Sequence, residues 1–344
     1  MKFRRVKRWA SITVILMVIG FMGFGAVFTA PQASNQLTSV KVAKAPTLDG
    51  AVDDLWNQAQ ALQIPVFGGA NNGSTTVDIK SVYTNDSIYF LVQWADPTES
   101  LRRFPWQKQA DGTWKQLIAN NQGDDNVYYE DKLAFIWNID NSIVGFNEGA
   151  GCFALCHAGE PGKPYGNKYT ASPAEIGDIW HWKSVRTGPV SQVDDQYVDS
   201  TRYDPTTAPE AGRKSDPRFL GGYRDNVNAD KTKPAFTFDD QPAPPYWIYD
   251  VTKQPFADTY APDDEVAGIV VAPFLGDRGD IACKGVWANG VWTLEIARTL
   301  VTGSQYDVQF SDLTKGYFFG MSAFDNAQVR HAFQTGVNEL RFAQ

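Results

Sequence analysis

Short strand-like segments recur along almost the whole of this 344-residue chain, and this recurrence limits the folds open to it. Turn signals at 85–86 and 288–290 are typical of β-hairpins. Only 298–303 and the region near 55–62 favour short helices, and no strand–helix alternation is visible. The sequence therefore predicts a mostly-β protein, an antiparallel β-sandwich with long loop insertions. The predicted strands are 77–83, 87–94, 132–139, 179–186, 265–272, 291–297 and 317–323.

Two stretches interrupt this pattern. Residues 189–264 are dense in Pro, Gly, Asp, Tyr and Lys, and they are predicted to form a long irregular insertion that wraps the sandwich. Residues 141–172 are rich in glycine and form a predicted loop between two strands. That loop carries two of the three cysteines.

The N-terminus is typical of a targeting segment. Five basic residues precede an uncharged stretch at 9–30, which is long enough to cross ~30 Å of hydrocarbon as a helix. We therefore expect residues 1–33 to be a signal anchor, with a cleaved signal peptide as the alternative. In either case the basic flank stays in the cytoplasm, and the domain at 34–344 is expected outside it, in the periplasm or at the cell surface.

Composition narrows the functional classes. The formal net charge is -8, and it falls to -13 without residues 1–33, which hold five positive charges and no negative ones. Such an acidic domain is not expected to bind nucleic acid. Three cysteines provide no disulfide framework, so the core must stabilise the fold. The 11 Trp, 14 Tyr and 21 Phe suit a sandwich core and, secondarily, a pocket for a flat cofactor.

The segment from Cys152 to His157 carries the most specific chemistry. A c-type haem needs two thiols for its thioether bonds and an imidazole that reaches the iron, and the usual spacing is Cys-x2-Cys-His. Here three residues separate Cys152 from Cys156, and His157 follows directly. The spacing therefore favours one covalent haem, attached through both cysteines, with His157 as the proximal iron ligand.

Two other interpretations of the motif remain open. Cys152 and Cys156 are close enough in sequence to form a local disulfide in an oxidising compartment, although this leaves His157 without a role. A zinc site is the other alternative, but it would need a fourth ligand that no nearby Cys or His provides.

A second axial ligand would come from a short set of residues. The candidates are His181, His331, Met321 or a lysine. Strand alternation predicts that His181 lies on the opposite face from its tryptophan neighbours at 180 and 182. Met321 is expected to fill the core instead.

Several segments resemble a known family. The chain is similar to the haem-binding subunits related to the gamma subunit of ethylbenzene dehydrogenase and other enzymes of the type II dimethyl sulfoxide reductase family. These are DOMON-like β-sandwiches, also similar to family 9 carbohydrate-binding modules. The resembling segments are 46–50 with Asp54 and Trp56, 87–94, 180–183, 290–293 with Arg298, and 324–331.

The resemblance implies a fold and a site. In that family the gamma subunits hold a b-type haem between a mid-chain methionine and a lysine near the C-terminus. No methionine lies in residues 141–172 of this chain, where the Cys-His loop stands instead. The resemblance thus implies that His157 replaces the methionine and that His331 is the distal ligand, with His181 second. Ligation by two imidazoles tends towards lower reduction potential.

The sequence therefore predicts an electron-transfer protein that is not itself an enzyme. Its expected partner is a redox enzyme, such as a molybdenum enzyme, or another cytochrome. The alternatives are a carbohydrate- or small-ligand-binding module, with Trp106 and Trp114 as exposed stacking residues, and a sensor with an open haem position. The acidic pairs at 124–125 and 194–195 are expected to be solvated, or at most to bind calcium. Cys283 is expected to be a buried small hydrophobe.

Overall fold

A computed structural model describes residues 35–71, 73–157 and 167–344. The predicted signal segment at 1–33, including the apolar stretch at 9–30, lies outside these residues. Within the described part of the chain, no helix is both long and apolar enough to cross a bilayer.

Most of the described chain is β-structure. Six short helical turns are also present, at Asp54–Gln58, Ile139–Asn141, Phe146–Ala150, Gly151–Leu155, Gly188–Val190 and Asp277–Gly279. The strands are β1 Gln36–Lys41, β2 Leu62–Val66, β3 Thr75–Tyr83, β4 Ser87–Ala95, β5 Trp106–Lys108, β6 Trp114–Gln116, β7 Lys132–Asn138, β8 Cys156–His157, β9 Asn167–Lys168, β10 Gly177–Lys183, β11 Asp194–Val198, β12 Arg213–Ser215, β13 Leu220–Asp225, β14 Phe236–Thr237, β15 Ile248–Tyr249, β16 Gln254–Pro255, β17 Glu265–Val266, β18 Ile269–Leu275, β19 Ala282–Ala288, β20 Val291–Thr299, β21 Tyr317–Phe324, β22 Ala332–Phe333 and β23 Asn338–Phe342.

A single 13-stranded sheet forms the framework. Its order is β12-β11-β10-β7-β21-β23-β1-β3-β4-β20-β19, with β2 paired to β3 and β22 paired to β21. The sheet folds over so that its two halves pack face to face as a sandwich, which confirms the predicted mostly-β sandwich. One detail differs from a purely antiparallel sandwich, because β1 pairs in parallel with both β23 and β3.

Aromatic side chains join the two halves of the sandwich. Phe90 on β4 contacts Trp180 on β10, with ring centroids 5.7 Å apart. Trp182 on β10 likewise contacts Trp94 and Trp292, at 5.9 and 4.9 Å. Such pairs stabilise a core beyond their area burial, by about 0.5–1.5 kcal/mol each. These tryptophans therefore fill the core rather than forming an exposed binding surface.

The sequence patterns located the central strands well. Hairpins occur at both predicted turns, and Asn289 and Gly290 have φ values of 52° and 80°, as the tight two-residue turn requires. The helix expected at 298–303 is absent, because β20 continues to Thr299 in register with β4. Near 55–62 the helix is only one turn, and β2 begins at Leu62.

Part of the stretch at 189–264 is regular sheet. β11 and β12 extend the main sheet beyond β10, so the expectation that this whole stretch is irregular is wrong for them. β13 and β15 pair with β18 in a separate small sheet, and β14 pairs with β16. These additions lie beside the outer face of the sheet that carries the candidate site.

Candidate functional site

A cavity of about 730 Å³ lies on the outer face of the main sheet. The residues of β7 and β10 alternate, so Phe135 and Trp180 face the core while Ala134 and His181 face the cavity. On the neighbouring strand β21, Gly320 and Ser322 also line the cavity. Small side chains thus form the middle of its floor.

Cys152 lies on the cavity wall. It belongs to the turn Gly151–Leu155 and packs with Ile136 and Ile179 in a small apolar cluster. A Cβ atom on Gly320 would lie 3.1 Å from the Cβ of Cys152, so the close approach of the turn to β21 depends on this glycine. The cysteine of the motif is therefore held directly against the sheet.

Less is described of the motif beyond Cys152. Cys156 and His157 form the short strand β8, whose backbone pairs with β9. In this ladder Cys156 lies opposite Lys168, a residue that lines the cavity. The side chains of Cys156 and His157 lie outside the described part of the structure, so their roles in haem attachment and iron ligation stay predictions.

His181 lies on the cavity floor, as the alternation of β10 predicts. Its ring is buried, and Nε2 has no hydrogen-bond partner in the described part of the chain. Burial lowers the pKa of His181 well below its usual range, and the charges of Lys183 and Lys132 add to this effect. The imidazole is therefore neutral, which is the form that binds metals.

His331 lines the same cavity from the segment before β22. The ring of Phe324 lies near both imidazoles, with centroids 5.0 Å from His331 and 5.5 Å from His181. Burial, with Lys168 and Lys132 nearby, lowers the pKa of His331 to about 3. The fold thus brings Cys152, His181 and His331 to one cavity from distant parts of the sequence.

Met321 borders the cavity, but its side chain lies in the core. It is 1 % exposed and belongs to the main core cluster, with its neighbours on β21 alternating to the cavity side. The prediction that Met321 fills the core is confirmed.

Basic side chains surround the cavity although the chain is acidic overall. Among the described lining residues, eight are Lys or Arg and one, Glu210, is acidic. Several of these bases are neutralised by acids, as in the pairs Lys183–Asp194 and Arg186–Glu130. Lys132 differs, because its buried ammonium donates to the carbonyl of Gln328 and has no carboxylate partner among the described residues.

Comparison with known protein families shows the family to which this chain belongs. The family model of ethylbenzene dehydrogenase matches residues 53–336, most of the chain. The chain belongs to the ethylbenzene dehydrogenase family. No curated protein matches the chain.

The solved structures that match this family member are less similar to it. Two are structures of a family 9 carbohydrate-binding module from Caldicellulosiruptor kristjanssonii, with glucose and with cellotriose. They are 10 and 11 % identical, cover 90 and 89 % of this chain and 95 and 93 % of theirs, and give TM-scores of 0.34 and 0.33. A putative carbohydrate-binding protein from Bacteroides uniformis is 9 % identical to this chain. The match covers 90 % of this chain and 99 % of that protein, with a TM-score of 0.38. These scores are too low to support any functional conclusion.

Several side chains of this ethylbenzene dehydrogenase family member differ from their sequence-based expectations. Trp106 and Trp114 are buried, not exposed as sugar stacking would require. The acidic pairs at 124–125 and 194–195 are buried rather than solvated. Asp125, for example, accepts hydrogen bonds from four backbone amides and organises a loop. Cys283 is buried in the core, as predicted, and burial raises the pKa of its thiol.

Three cavity residues were missed from the sequence, and two of them left a signal. Gly320 interrupts a strand of aromatic residues, which is typical of close approach by another segment. Lys132 begins an otherwise apolar strand, where a charged side chain needs a special environment. Phe324 ends β21, and nothing in the local sequence distinguishes it from a core aromatic residue.

Proposed function

We propose that this protein is an extracytoplasmic c-type cytochrome of the ethylbenzene dehydrogenase family. In this proposal Cys152 and Cys156 attach one haem covalently, and His157 and His331 are the axial ligands, with His181 as the second candidate for the distal position. The observation that carries it is a single cavity that brings Cys152 together with two imidazoles of lowered pKa, the buried His181 and the half-buried His331.

The shape of the cavity fits a flat prosthetic group. Its volume of about 730 Å³ lies in the usual range for cofactor sites, about 300–1,000 Å³. Ala134, Gly320 and Ser322 keep the floor free of large side chains, while Ile136 and Ile179 supply apolar surface beside Cys152.

The polar atoms of the cavity also fit. The Nε2 of His181 is a buried donor or acceptor with no protein partner among the described residues, and such atoms are rare in folded proteins. Lys132 is a buried amine without a carboxylate partner in the same part of the chain, and burial lowers its pKa well below the usual range. A ligand that carries carboxylates, as haem does, would pair with it.

When bound, the haem would supply one-electron chemistry, and the chain would hold it, orient it and tune its potential. Phe324 contacts both candidate imidazoles and restricts their movement. Lys132, Lys168 and their basic neighbours would favour the reduced state by keeping positive charge close to the iron.

Family membership supports a role within an enzyme complex rather than catalysis by this chain. We propose that a redox enzyme, such as a molybdenum enzyme, or another cytochrome exchanges electrons with it. The stretch at 9–30 would anchor it to the cytoplasmic membrane.

An alkaline pyridine haemochrome spectrum, combined with the mass of the purified chain, tests covalent attachment. The protein should be produced with the machinery for c-type haem maturation. We expect one covalent haem in the wild type and none in the double variant Cys152→Ala/Cys156→Ala. A wild-type protein without Soret absorption would disprove the proposal and favour a small-ligand-binding module.

Single variants distinguish the distal ligands. We expect His331→Ala to change the absorption spectrum of the ferric and ferrous protein, while His181→Ala leaves the ligation signature intact. Met321→Leu is the matched control, because Met321 lies on the same strand as part of the floor but faces the core. If only His181→Ala changes the spectrum, His181 is the ligand; if neither does, the distal position is open and the protein is better explained as a sensor.

A further inference from the structure

Three acidic side chains converge on the opposite side of the main sheet from the cavity. Asp195 lies in β11, Asp216 directly follows β12, and Asp307 lies in the loop after β20. Each offers one carboxylate oxygen, and these oxygens lie within 4.8 Å of one another. All three residues are almost completely buried.

The oxygens of this cluster lack donors. Both carboxylate oxygens of Asp195 accept no hydrogen bond from any described residue, and the same is true of Asp216. One oxygen of Asp307 accepts from the hydroxyl of Thr302, and the other has no donor in the described ranges. Because buried acceptors are almost always satisfied, five orphaned oxygens at one point must be satisfied by bound protons or by a positively charged partner.

The nearest protein cation is committed elsewhere. Arg298 donates through Nη1 to Asp178 and through Nη2 to the carbonyl of Val308. Asp178 also accepts from the backbone amide of Val308 and from the indole of Trp180. The hydrogen bonds of Arg298 thus go to Asp178 and Val308, and its charge offsets only part of the burial of Asp195, whose pKa stays raised.

A second group of acids provides an internal contrast. Asp96, Asp131 and Asp325 also bring their oxygens within 4.8 Å. There, however, Asp131 accepts from the amides of Ser100 and Asn326 and from the indole of Trp292. Protein donors already satisfy the central carboxylate of that group, so it does not call for a cation.

We propose that Asp195, Asp216 and Asp307 bind one calcium ion. Calcium prefers carboxylate oxygens at about 2.3–2.6 Å, so oxygens that lie within 4.8 Å of one another are close enough to bind one ion together. Asp280 lies beside Asp195 at the protein surface and provides a fourth carboxylate and an entry path.

The position of the site indicates what the ion does. Asp195 and Asp216 belong to one edge of the sandwich, whereas Asp307 follows β20 in the facing half of the sheet. One ion would thus tie the two halves together at the edge where β11 and β12 extend the sheet. Its role is structural and independent of the haem.

Thermal unfolding of the full mature protein tests the proposal. The protein is treated with EGTA, desalted, and melted with and without added CaCl₂. We expect Ca²⁺ to raise the melting temperature of the wild type progressively with concentration, as a ligand that binds only the folded state does. Calorimetric titration with CaCl₂ should give one site per chain. Soret absorption, measured in parallel, should not change.

Variants locate the site. Asp195→Asn and Asp307→Asn should each weaken Ca²⁺ binding at least tenfold and reduce the thermal shift. The matched control Asp325→Asn, in the other acidic group, should bind as the wild type does. If Ca²⁺ neither binds to the wild type nor shifts its melting temperature, the carboxyls are held by protons and the proposal is wrong. That result would leave the haem assignment untouched.

Discussion

The two faces of β10 and β11 present opposite electrostatic environments. On the cavity face, Asp194 accepts hydrogen bonds from Lys183, Arg278 and Tyr223. On the core face, the neighbouring Asp195 lies opposite Trp180 and has no donor among the described residues. One peptide bond separates a fully compensated carboxylate from an uncompensated one.

This difference follows from the alternation of side chains along a strand. Because successive side chains point to opposite faces, Asp194 of β11 lies at the basic cavity and Asp195 lies in the acidic cluster. Although burial alone raises the pKa of Asp194, Lys183 and Arg278 outweigh it and hold the pKa at about 2. For Asp195, burial and the neighbouring acids Asp178 and Asp307 act together and raise the pKa. The two acids should therefore respond oppositely to the same substitution.

Asp194→Asn should have the largest effect. It leaves Lys183 and Arg278 buried without a carboxylate, and breaking a buried pair in this way costs about 3–5 kcal/mol. Asp195→Asn, measured in EGTA, should instead increase the free energy of unfolding, because it removes like-charge repulsion. Urea unfolding of the two variants and the wild type measures both effects. Equal destabilisation by both substitutions would show that the two faces do not differ.

Gly320→Val should have the next largest effect. A Cβ at this position lies 3.1 Å from the Cβ of Cys152 and 3.3 Å from its amide nitrogen, so the turn must move away from β21. We expect overpacking to cost about 1–3 kcal/mol, and less haem to be attached. Without that clash, valine would increase the free energy of unfolding, because it favours strands more than glycine does. The sign of the change in the free energy of unfolding therefore shows whether Cys152 is held against β21.

Ser322→Ala is the matched control for Gly320→Val. It lies two residues along the same strand, faces the same cavity and adds no volume. Its free energy of unfolding should remain within about 0.5 kcal/mol of the wild type. A stabilised Gly320→Val with normal haem content would mean that Cys152 is not held against β21.

Local patterns and long-range pairing explain what the sequence could and could not predict. The hairpin at Asn289-Gly290 and the alternation of His181 with its tryptophan neighbours depend on a few consecutive residues, and both are confirmed. The parallel insertion of β1 between β23 and β3 joins Gln36 to Glu339 and Ser39 to Ser81, which are distant in sequence, and no local signal specifies it.

The same distinction applies to the candidate site. Cys152, His181 and His331 could be proposed as site residues because their chemistry is visible in single residues or short motifs, and the structure places all three at one cavity. The burial of Asp194 and Asp195 was not predicted, because it depends on β12, on the loop after β20 and on Arg278, which are distant in sequence. An acidic pair in a Pro- and Gly-rich stretch is typical of a solvated loop until those partners are known.

The smallest effect is expected at Asp96, in the acidic group whose central carboxylate is satisfied by protein donors. Burial raises the pKa of Asp96 to about 6, although its hydrogen bond from the amide of Thr98 opposes this. Since the folded-state pKa exceeds the unfolded value of 3.8, Asp96 contributes stability below about pH 4 that is lost as the pH rises through 6.

Asp96→Asn should therefore melt higher than the wild type at pH 7.5, and the difference should shrink towards zero at pH 4. Asparagine can still accept the hydrogen bond from Thr98, so the variant isolates the charge. Asp54→Asn removes an equivalent charge from the exposed surface and is the control. Melting temperatures from pH 4 to 7.5, in EGTA, measure the difference. If the advantage of Asp96→Asn is the same at every pH, Asp96 does not titrate in this range. The hydrogen bond from Thr98 would then offset the burial of Asp96, and the contrast between satisfied and orphaned acids would extend to this residue.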